Sequence, residues 1–251
     1  MNYFGIDIGC TAIKFGEVEF GKEIKTIDFD MKLIPQTLRT EKYTQALIEL
    51  ISSAENYKGI GIGFPSVVWE HGIMNLDIQF DNIWQEVDAI LCLKKVPHFA
   101  LNDADAAGFA ELYNPGAAEY RKGVTIVLTL GTGIGSGLFL NGKLLPNTEF
   151  GMIEINGMMA EHYAAASVLR RENLTLQNWA ARLQEVITQI EIILSPDHIL
   201  LGGGISSDFE NYRPFLTTKY AKLAPAYYRN QAGVIGAAIY AAYRADDYTL
   251  L

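Results

Sequence analysis

Asp7 is the first residue that could do chemistry. It closes an apolar, strand-like run and is followed by Gly9, Cys10, Thr11 and Lys14. A carboxylate beside a tight turn can hold Mg²⁺ through water, while a hydroxyl and backbone amides approach a phosphate. The same pattern is also typical of a hairpin whose aspartate caps the turn. The motif alone leaves both interpretations open.

A pair of polar residues, Asn102 and Asp103, provides the second candidate group. The pair follows the apolar segment 97–101 and opens a helix-like stretch rich in small residues. Asparagine and aspartate are both good helix N-caps, so capping is one explanation of the pair. A carboxylate in this position can also act as the general base that takes a proton from a hydroxyl nucleophile.

A glycine-rich segment, 129–137, provides the third candidate. It contains Gly131, Thr132 and Gly133, and glycine lets the backbone approach an anion closely. A hairpin pattern follows it, whereas the dinucleotide-binding fingerprint requires a helix at that point. The segment therefore predicts a phosphate-binding turn between two strands, matching the turn after Asp7.

A second glycine cluster consists of Gly202, Gly203 and Gly204. It comes directly after the apolar, strand-like segment 199–201. Three glycines here fit either a close strand-to-helix turn or bare backbone on which a flat adenine ring can lie. Its place in the second half of the chain favours the nucleotide role.

The elements that must position these groups form a pattern that occurs twice. Strand-like segments separated by a glycine turn and a tight turn occupy residues 3–30 and again residues 123–145. The second copy contains Asn141 and Gly142, a strong hairpin signal. We interpret the pattern as a duplicated three-stranded unit, each copy followed by helices and further strands. Alternating strands and helices predict an α/β protein with two similar lobes and a cleft between them.

Apolar residues at helical spacing predict the remaining elements. We expect helices over residues 40–56, 83–93, 103–110, 161–172, 176–194 and 234–243. The stripe on 176–194, which includes Trp179, predicts core packing. The last helix is rich in glycine and alanine, so we expect it to pack tightly on a neighbour.

We expect the two lobes to divide after residue 115. The N-terminal lobe, 1–115, would hold the first phosphate turn and Asp103, and the C-terminal lobe, 116–251, would hold the two glycine clusters. The final segment, 233–251, is a candidate to pack back onto the first lobe.

Composition narrows the functional class. The chain has 251 residues, 49% hydrophobic and 20% charged, which is typical of a globular protein. Its formal net charge of −9 disfavours nucleic acid as a partner. No apolar run is long enough to span a bilayer, so we expect no signal peptide and no membrane partner. With only Cys10 and Cys92 and four scattered histidines, we expect a cytoplasmic protein with no disulfide framework and no zinc.

The motifs, taken together and in order, resemble those of the actin-like ATPase superfamily. Residues 7–14 and 131–137 resemble its two phosphate motifs, and residues 202–204 resemble its adenosine motif. Their order and spacing are similar to those of ROK sugar kinases. Residues 101–108 and 143–151 are most similar to the polyphosphate glucokinases. The resemblance covers nearly the whole chain and implies a two-lobed actin-like ATPase (ribonuclease H-like) fold, each lobe a mixed sheet with helices.

The resemblance also implies a role for each candidate residue. Asp103 matches the general base for phosphoryl transfer to a hexose hydroxyl, and Asp7 matches the residue that positions Mg²⁺ through water. The positions that match sugar-binding residues are Asn75, Asn102, Asp103, Glu149, Glu161 and, within the same motif, Met152. The positions that match phosphate- or nucleotide-binding residues are Asp7, Gly9, Cys10, Thr11, Lys14, Gly131, Thr132, Gly133, Gly202, Gly203 and Gly204.

Three positions depart from the family pattern. Cys10 and Ser66 stand where the family usually has glycine, and Met152 stands where it has histidine. Methionine cannot replace the hydrogen bonds of a histidine to a sugar hydroxyl. An apolar wall suits a sugar that lacks this hydroxyl or carries an acyl group.

Three functions follow from these residues. The leading hypothesis is a sugar kinase with Asp103 as the general base. The second is a catalytically impaired ROK-like protein that binds nucleotide or sugar as a sensor, a hypothesis motivated by Cys10 and Met152. The third is a kinase for a hydroxyl substrate other than a sugar.

The resemblance implies ATP or inorganic polyphosphate as the phosphoryl donor, with Mg²⁺, and a homodimer. A long polyanion favours a basic track, whereas the basic pairs 94–95, 121–122 and 170–171 are scattered along the sequence. The net charge of −9 therefore favours ATP.

Overall fold

The computed structural model describes residues 2–9, 12–21, 24–34, 39–52, 56–75, 78–114 and 116–245. The chain forms two compact units. Unit 1 consists of Met1–Pro115 and Gln231–Leu251, and unit 2 consists of Gly116–Asn230. None of the helices within the described ranges is long and apolar enough to cross a membrane.

Fourteen strands and eight α-helices occur in the described residues. The strands are β1 Tyr3–Ile8, β2 Ala12–Glu19, β3 Lys25–Leu33, β4 Gly59–Phe64, β5 Val68–Trp69, β6 Gly72–Ile73, β7 His98–Asn102, β8 Val124–Leu130, β9 Ile134–Leu140, β10 Lys143–Leu145, β11 Glu154–Ile155, β12 Met158–Met159, β13 His198–Gly202 and β14 Lys222–Pro225. The helices are α1 Arg39–Ile51, α2 Phe80–Lys94, α3 Asp103–Leu112, α4 Ala160–Ala164, α5 Ala166–Arg171, α6 Leu176–Leu194, α7 Phe209–Tyr212 and α8 Ala232–Arg244.

Each unit contains one five-stranded mixed sheet, and the two sheets have the same arrangement. The strand order is β3-β2-β1-β4-β7 in unit 1 and β10-β9-β8-β13-β14 in unit 2. The central strand is β1 in one sheet and β8 in the other. Each pairs antiparallel with the strand that follows it, β2 or β9, and parallel with β4 or β13 on its other side. The repeated pattern and the mixed α/β fold expected from the sequence are confirmed.

Glycines on alternate positions bring α8 close to the sheet of unit 1. A Cβ atom at Gly5 would lie 1.9 Å from the carbonyl oxygen of Val234, and one at Gly61 would lie 1.8 Å from that of Ala237. The intervening isoleucines of β1 and β4 point to the other face, where they join the core formed with α1 and α2. The expected tight packing of the last helix is confirmed, within unit 1.

The core of unit 2 is formed by the stripe on α6 against the sheet. Trp179, Leu183, Ile187 and Ile190 are all fully buried and belong to one cluster with the apolar residues of β8 and β13. The core role expected for this stripe is confirmed.

The single helix expected over residues 161–172 is wrong, because the chain breaks into α4 and α5 at Ala165. This residue is extended, with φ −60° and ψ 158°. The indole nitrogen of Trp179 donates to the carbonyl oxygens of Ala164 and Ala165 at 2.9 and 3.1 Å. Tertiary hydrogen bonds therefore replace those that an unbroken helix would make.

Smaller differences concern ends and short strands. Helix α1 ends at Ile51, short of the expected residue 56, and the chain at 53–55 lies outside the described residues. The hairpins β5–β6 and β11–β12 and the edge strand β14 have no counterpart in the sequence-based expectation. They are too short, or too irregular in their polarity, to show a period of two.

Candidate active site

Asp7 is buried at the end of β1 and paired with Lys14. The two residues are opposite each other in the β1–β2 ladder, and Lys14 Nζ donates to Asp7 Oδ2 at 2.8 Å. The first turn of α8 covers the carboxyl group, since a Cβ at Gly233 would lie 2.5 Å from Asp7 Cγ. The carboxyl group thus faces an ammonium group and the N-terminal end of a helix. The side chain offers the oxygen chemistry that suits a hydrated Mg²⁺ ion.

The turn after Asp7 is held at its first residue. The Gly9 amide donates to the carbonyl oxygen of Ala12 at 2.9 Å, and the Tyr43 hydroxyl donates to the carbonyl oxygen of Gly9 at 2.6 Å. Cys10 and Thr11, which sequence reasoning placed in the phosphate site, lie outside the described residues.

Asn102 is the N-cap of α3 and fixes the start of the helix on which Asp103 lies. Its Oδ1 accepts hydrogen bonds from the amides of Ala104 at 2.9 Å and Asp105 at 3.1 Å. Its Nδ2 donates to the carbonyl oxygen of Ser66 at 3.2 Å. Asn102 therefore caps the helix, which is one of the two roles considered for the Asn102–Asp103 pair from the sequence. Asp103 follows as the first helical residue and remains partly exposed.

Ser66 connects the N-cap of α3 to the β5–β6 hairpin. Its hydroxyl donates to the carbonyl oxygen of Met74 at 2.9 Å, and its own carbonyl accepts from Asn102. Asn75 follows directly and accepts from the Asp81 amide at 3.0 Å, at the start of α2. The expected sugar ligand Asn75 and the Asn102–Asp103 pair are thus joined through one buried serine.

In unit 2, the phosphate-type turn joins β8 to β9. Its carbonyl groups are held by α5, since the Ser167 amide donates to Gly131 O at 3.0 Å and its hydroxyl donates to Thr132 O at 2.7 Å. In the described part of the chain, the amides of Thr132 and Gly133 donate to no group. A Cβ atom at Gly131 would meet nothing within 4 Å. Amides that donate to no group, next to the open backbone at Gly131, are what an anion-binding turn presents.

Glu149 is positioned by a buried serine on β9. Ser136 Oγ donates to Thr148 O at 2.6 Å and accepts from the Phe150 amide at 3.0 Å, so both neighbours of Glu149 are fixed. Gly151 packs against the Ile134 carbonyl oxygen, which would lie 2.1 Å from an added Cβ. The turn that carries Glu149 is therefore docked on β9.

Glu161 lies on α4 with its carboxyl group over the phosphate-type turn. Its Oε2 would be 2.4 Å from a Cβ atom at Gly133, and its Oε1 lies 3.6 Å from His162 Nε2. Much of the Glu149 side chain is solvent accessible, yet partial burial of its carboxyl group raises the pKa of Glu149. The negative charge of Glu161 raises the pKa of Glu149 further. The two carboxyl groups thus lie close enough to repel each other.

Met152 follows Glu149 in the same turn and is 51% exposed. Its amide donates to the Glu149 carbonyl oxygen at 3.0 Å. Its side chain stands where the resemblance implies a histidine.

The three glycines at the end of β13 differ in how closely other atoms approach them. Gly203 has φ +81°, and a Cβ there would lie 2.2 Å from Leu130 O, so it makes the close turn considered from the sequence. A Cβ atom at Gly204, by contrast, would have only Asn230 Oδ1 nearby, at 3.7 Å. Gly202 is the last residue of β13. Only Gly203 is required by packing.

Four residues that sequence reasoning did not place in the site support it. Ser66 was noted only as a departure from the family, and no role was expected for Ser136, Ser167 or Gly233. Each acts through a residue distant in sequence. A single serine or glycine carries no local signal of such a contact.

The chain is similar to known proteins. The family model described as "ROK family" matches residues 3–162. Polyphosphate glucokinase of Mycobacterium tuberculosis (strain ATCC 25618 / H37Rv) is 36% identical over 242 residues, which cover 94% of this chain and 89% of that protein.

Two solved structures are similar. Inorganic polyphosphate/ATP-glucomannokinase from Arthrobacter sp. strain KM has a TM-score of 0.85 and 33% identity, covering 97% of this chain and 99% of that chain. A ROK family glucokinase from Streptomyces griseus, solved with glucose and AMPPNP, has a TM-score of 0.74 and 20% identity, covering 95% and 98%. The latter supports the fold alone. The chain belongs to the ROK family.

Proposed function

We propose that this protein is a sugar kinase that transfers a terminal phosphoryl group to a hexose hydroxyl. The observation that carries the proposal is the position of Asp103, a partly exposed carboxylate held at the first residue of α3 by the cap residue Asn102. The relatives at 36% and 33% identity are hexose kinases by name, over nearly the full length of the chain. Asp103, Asn102, Glu149 and Glu161, which match the family's base and sugar ligands by resemblance, are all present, and this argues against a sensor that has lost its chemistry.

The acceptor hydroxyl gives its proton to the carboxylate of Asp103. As its oxygen bonds to the terminal phosphorus, the bond from phosphorus to the leaving oxygen of the donor breaks. The transferred group is held by positioning and electrostatics more than by covalent chemistry. We propose Glu149 and Glu161 as acceptors of hydrogen bonds from other sugar hydroxyls, with Asn75 as a further ligand.

The donor phosphates are proposed to bind the amides of Thr132 and Gly133, with Lys14 as a cation near the turn after Asp7. Mg²⁺ held by Asp7 through water would neutralise charge on the phosphoryl oxygens. We propose ATP or inorganic polyphosphate as the donor, because the names of two relatives include polyphosphate and one of them also includes ATP. Their similarity gives polyphosphate more weight than net charge alone suggested.

A coupled phosphoryl-transfer assay tests the proposal. Hexoses and N-acetylhexosamines are each combined with Mg-ATP and with polyphosphate, using the wild type and Asp103→Asn. We expect turnover with at least one sugar, lost in Asp103→Asn while its circular dichroism spectrum is unchanged. Absence of turnover with every pair, from a folded protein that still binds nucleotide, would contradict the proposal and favour the sensor.

Acceptor preference is informative because of Met152. An apolar thioether beside the glutamates favours a sugar with an acyl group or without the hydroxyl that histidine would bind. Met152→His is expected to shift the ratio of kcat/KM values towards glucose. An unchanged ratio would show that Met152 does not determine which sugar is preferred as acceptor.

A further inference from the structure

Three potential metal ligands lie together at the junction of α2 with β7. Asp88 and Cys92 are four residues apart on α2, and His98 is the first residue of β7. One ligand atom from each side chain lies within 4.8 Å of the others. None of the three belongs to the candidate active site. A carboxylate, a thiol and an imidazole are three different ligand types brought to one point.

The orientation of His98 is set by a backbone carbonyl. Its Nδ1 lies 2.7 Å from the carbonyl oxygen of Val96, which can only accept, so Nδ1 carries a proton and donates. The other ring nitrogen, Nε2, lies 3.0 Å from Asp88 Oδ1. Two lone pairs at this distance repel unless a proton or a metal ion lies beside them. Donation from the other ring nitrogen to a carbonyl is also how metal-bound histidines are usually oriented.

Cys92 distinguishes the cluster from an ordinary histidine–aspartate pair. Its Sγ lies 4.0 Å from Asp88 Oδ2, on the side of the carboxyl group that His98 does not contact. Tetrahedral zinc holds sulfur at about 2.3 Å and nitrogen or oxygen at about 2.0–2.2 Å, so its ligand atoms are roughly 3.3–3.8 Å apart. The distances from Asp88 to its two partners, 3.0 Å to His98 Nε2 and 4.0 Å to Cys92 Sγ, lie on either side of that range. Cys92 is exposed, which gives an ion access from solvent.

We propose that Asp88, Cys92 and His98 bind a divalent ion of borderline softness such as Zn²⁺, with a fourth position open to solvent. Thiolate and imidazole ligands select such ions over Mg²⁺, which prefers oxygen. Cys92 lies in the last turn of α2, where the helix dipole favours a cation. The site is therefore separate in chemistry from the magnesium proposed at Asp7.

This proposal departs from the expectation of no zinc. The spacing of four and then six residues, with a single cysteine, matches no zinc-finger pattern. His98 reaches the other two side chains only because β7 packs beside α2. Since β7 ends at Asn102, an ion at its first residue would also fix the strand that leads to Asp103.

The test is calorimetric titration of ZnCl₂ into the full-length protein after dialysis against a chelator. We expect one equivalent to bind and to raise the melting temperature, because an ion that binds only the folded state stabilises it. Cys92→Ser should weaken Zn²⁺ binding at least about tenfold. His71→Gln, which changes an exposed histidine elsewhere, should leave the affinity unchanged.

Cobalt substitution gives a second measurement. Co²⁺ bound through Cys92 shows a thiolate-to-metal charge-transfer band that disappears in Cys92→Ser and persists in Cys10→Ser. His98 is partly buried, so its replacement could unfold β7, but exposed Cys92 can be changed without that risk. The proposal is overturned if Zn²⁺ does not bind, if Cys92→Ser binds it as tightly as the wild type, or if the band follows Cys10.

Discussion

The acidic residues of the two units are held in opposite ways. In unit 1, Asp7 is buried, ion-paired with Lys14 and covered by the start of α8. In unit 2, Glu149 has its pKa raised by partial burial and by the negative charge of Glu161. One carboxylate is paired with a cation, and the other faces a second negative charge.

The difference indicates a division of labour. A charge that is already neutralised within the fold keeps a fixed geometry, which suits a group that must position a metal. A pair of carboxylates that repel each other gains from any ligand that donates hydrogen bonds to both. We therefore expect changes in unit 1 to affect kcat or stability, and changes at the glutamates of unit 2 to affect sugar binding.

Asp103→Asn tests the unit 1 side and should have the largest effect. Loss of a general base lowers kcat by about 10²–10⁴-fold, with little change in KM for the sugar. Steady-state kinetics with a coupled assay measure both constants. A fall in kcat of less than tenfold, in a folded variant, would remove Asp103 from the role of base.

Glu149→Gln tests the unit 2 side. A hydrogen bond to a charged acceptor contributes about 1.5–3 kcal/mol, so KM for the sugar should rise by about 10–100-fold. We expect the fall in kcat to be smaller than that in Asp103→Asn. If kcat falls as steeply as in Asp103→Asn while KM is unchanged, the proposed division between the units is wrong.

Gly233→Ala tests how tightly Asp7 is held. The added methyl group would lie 2.5 Å from Asp7 Cγ, so the free energy of unfolding should fall by about 1–3 kcal/mol. Gly131→Ala is the matched control, because nothing lies within 4 Å of its Cβ position and its unfolding free energy should change by less than about 0.5 kcal/mol. Urea denaturation measures both.

The double variant Asp7→Ala, Gly233→Ala locates the cause of that loss. If the methyl group clashes with the Asp7 carboxyl, adding Gly233→Ala to Asp7→Ala should cost less than adding it to the wild type. An equal cost in both backgrounds would place the clash elsewhere.

The pH dependence of stability should show the smallest effect. Because the pKa of Glu149 is raised on folding, the folded state binds more protons than the unfolded state at pH values between the ordinary glutamate pKa and the raised one. Its contribution to stability is present below that ordinary pKa and is lost as pH rises through the raised value. Glu149→Gln should therefore be more stable than wild type at neutral pH, by about 0.5 kcal/mol, and lose this advantage in acid. Parallel stability curves across pH would contradict the raised pKa.

Much of the fold could be predicted from local patterns. The two copies of strand, glycine turn and strand, and the apolar stripe around Trp179, depend only on periodicity along the chain. The break at Ala165 could not be predicted, because it depends on the Trp179 indole and on hydrogen bonds from Ser167 to the turn of unit 2. The apolar residues of 161–172 follow helical spacing both before and after Ala165, so the local pattern gives no sign of a break.

The candidate site was predictable where chemistry and spacing coincide. Asp103 stands at a strand-to-helix junction that is visible in the sequence, and Gly131 and Gly133 occupy a visible turn. Ser66 and Ser136 were not predictable as positioning residues. Their hydroxyl groups act on Met74 and on the neighbours of Glu149, which are separated from them along the chain.

The sequence by itself determined the repeated three-stranded pattern, most of the longer helices and the residue types available for phosphoryl transfer. These features follow from polarity and steric preference over a few neighbouring residues. Only the tertiary structure decided which carboxylates are paired and which repel, that Gly233 covers Asp7, and that His98 meets Asp88 and Cys92. Electrostatic and coordination chemistry depends on distance in space, and the distance between two residues in space is set by the packing of the whole unit.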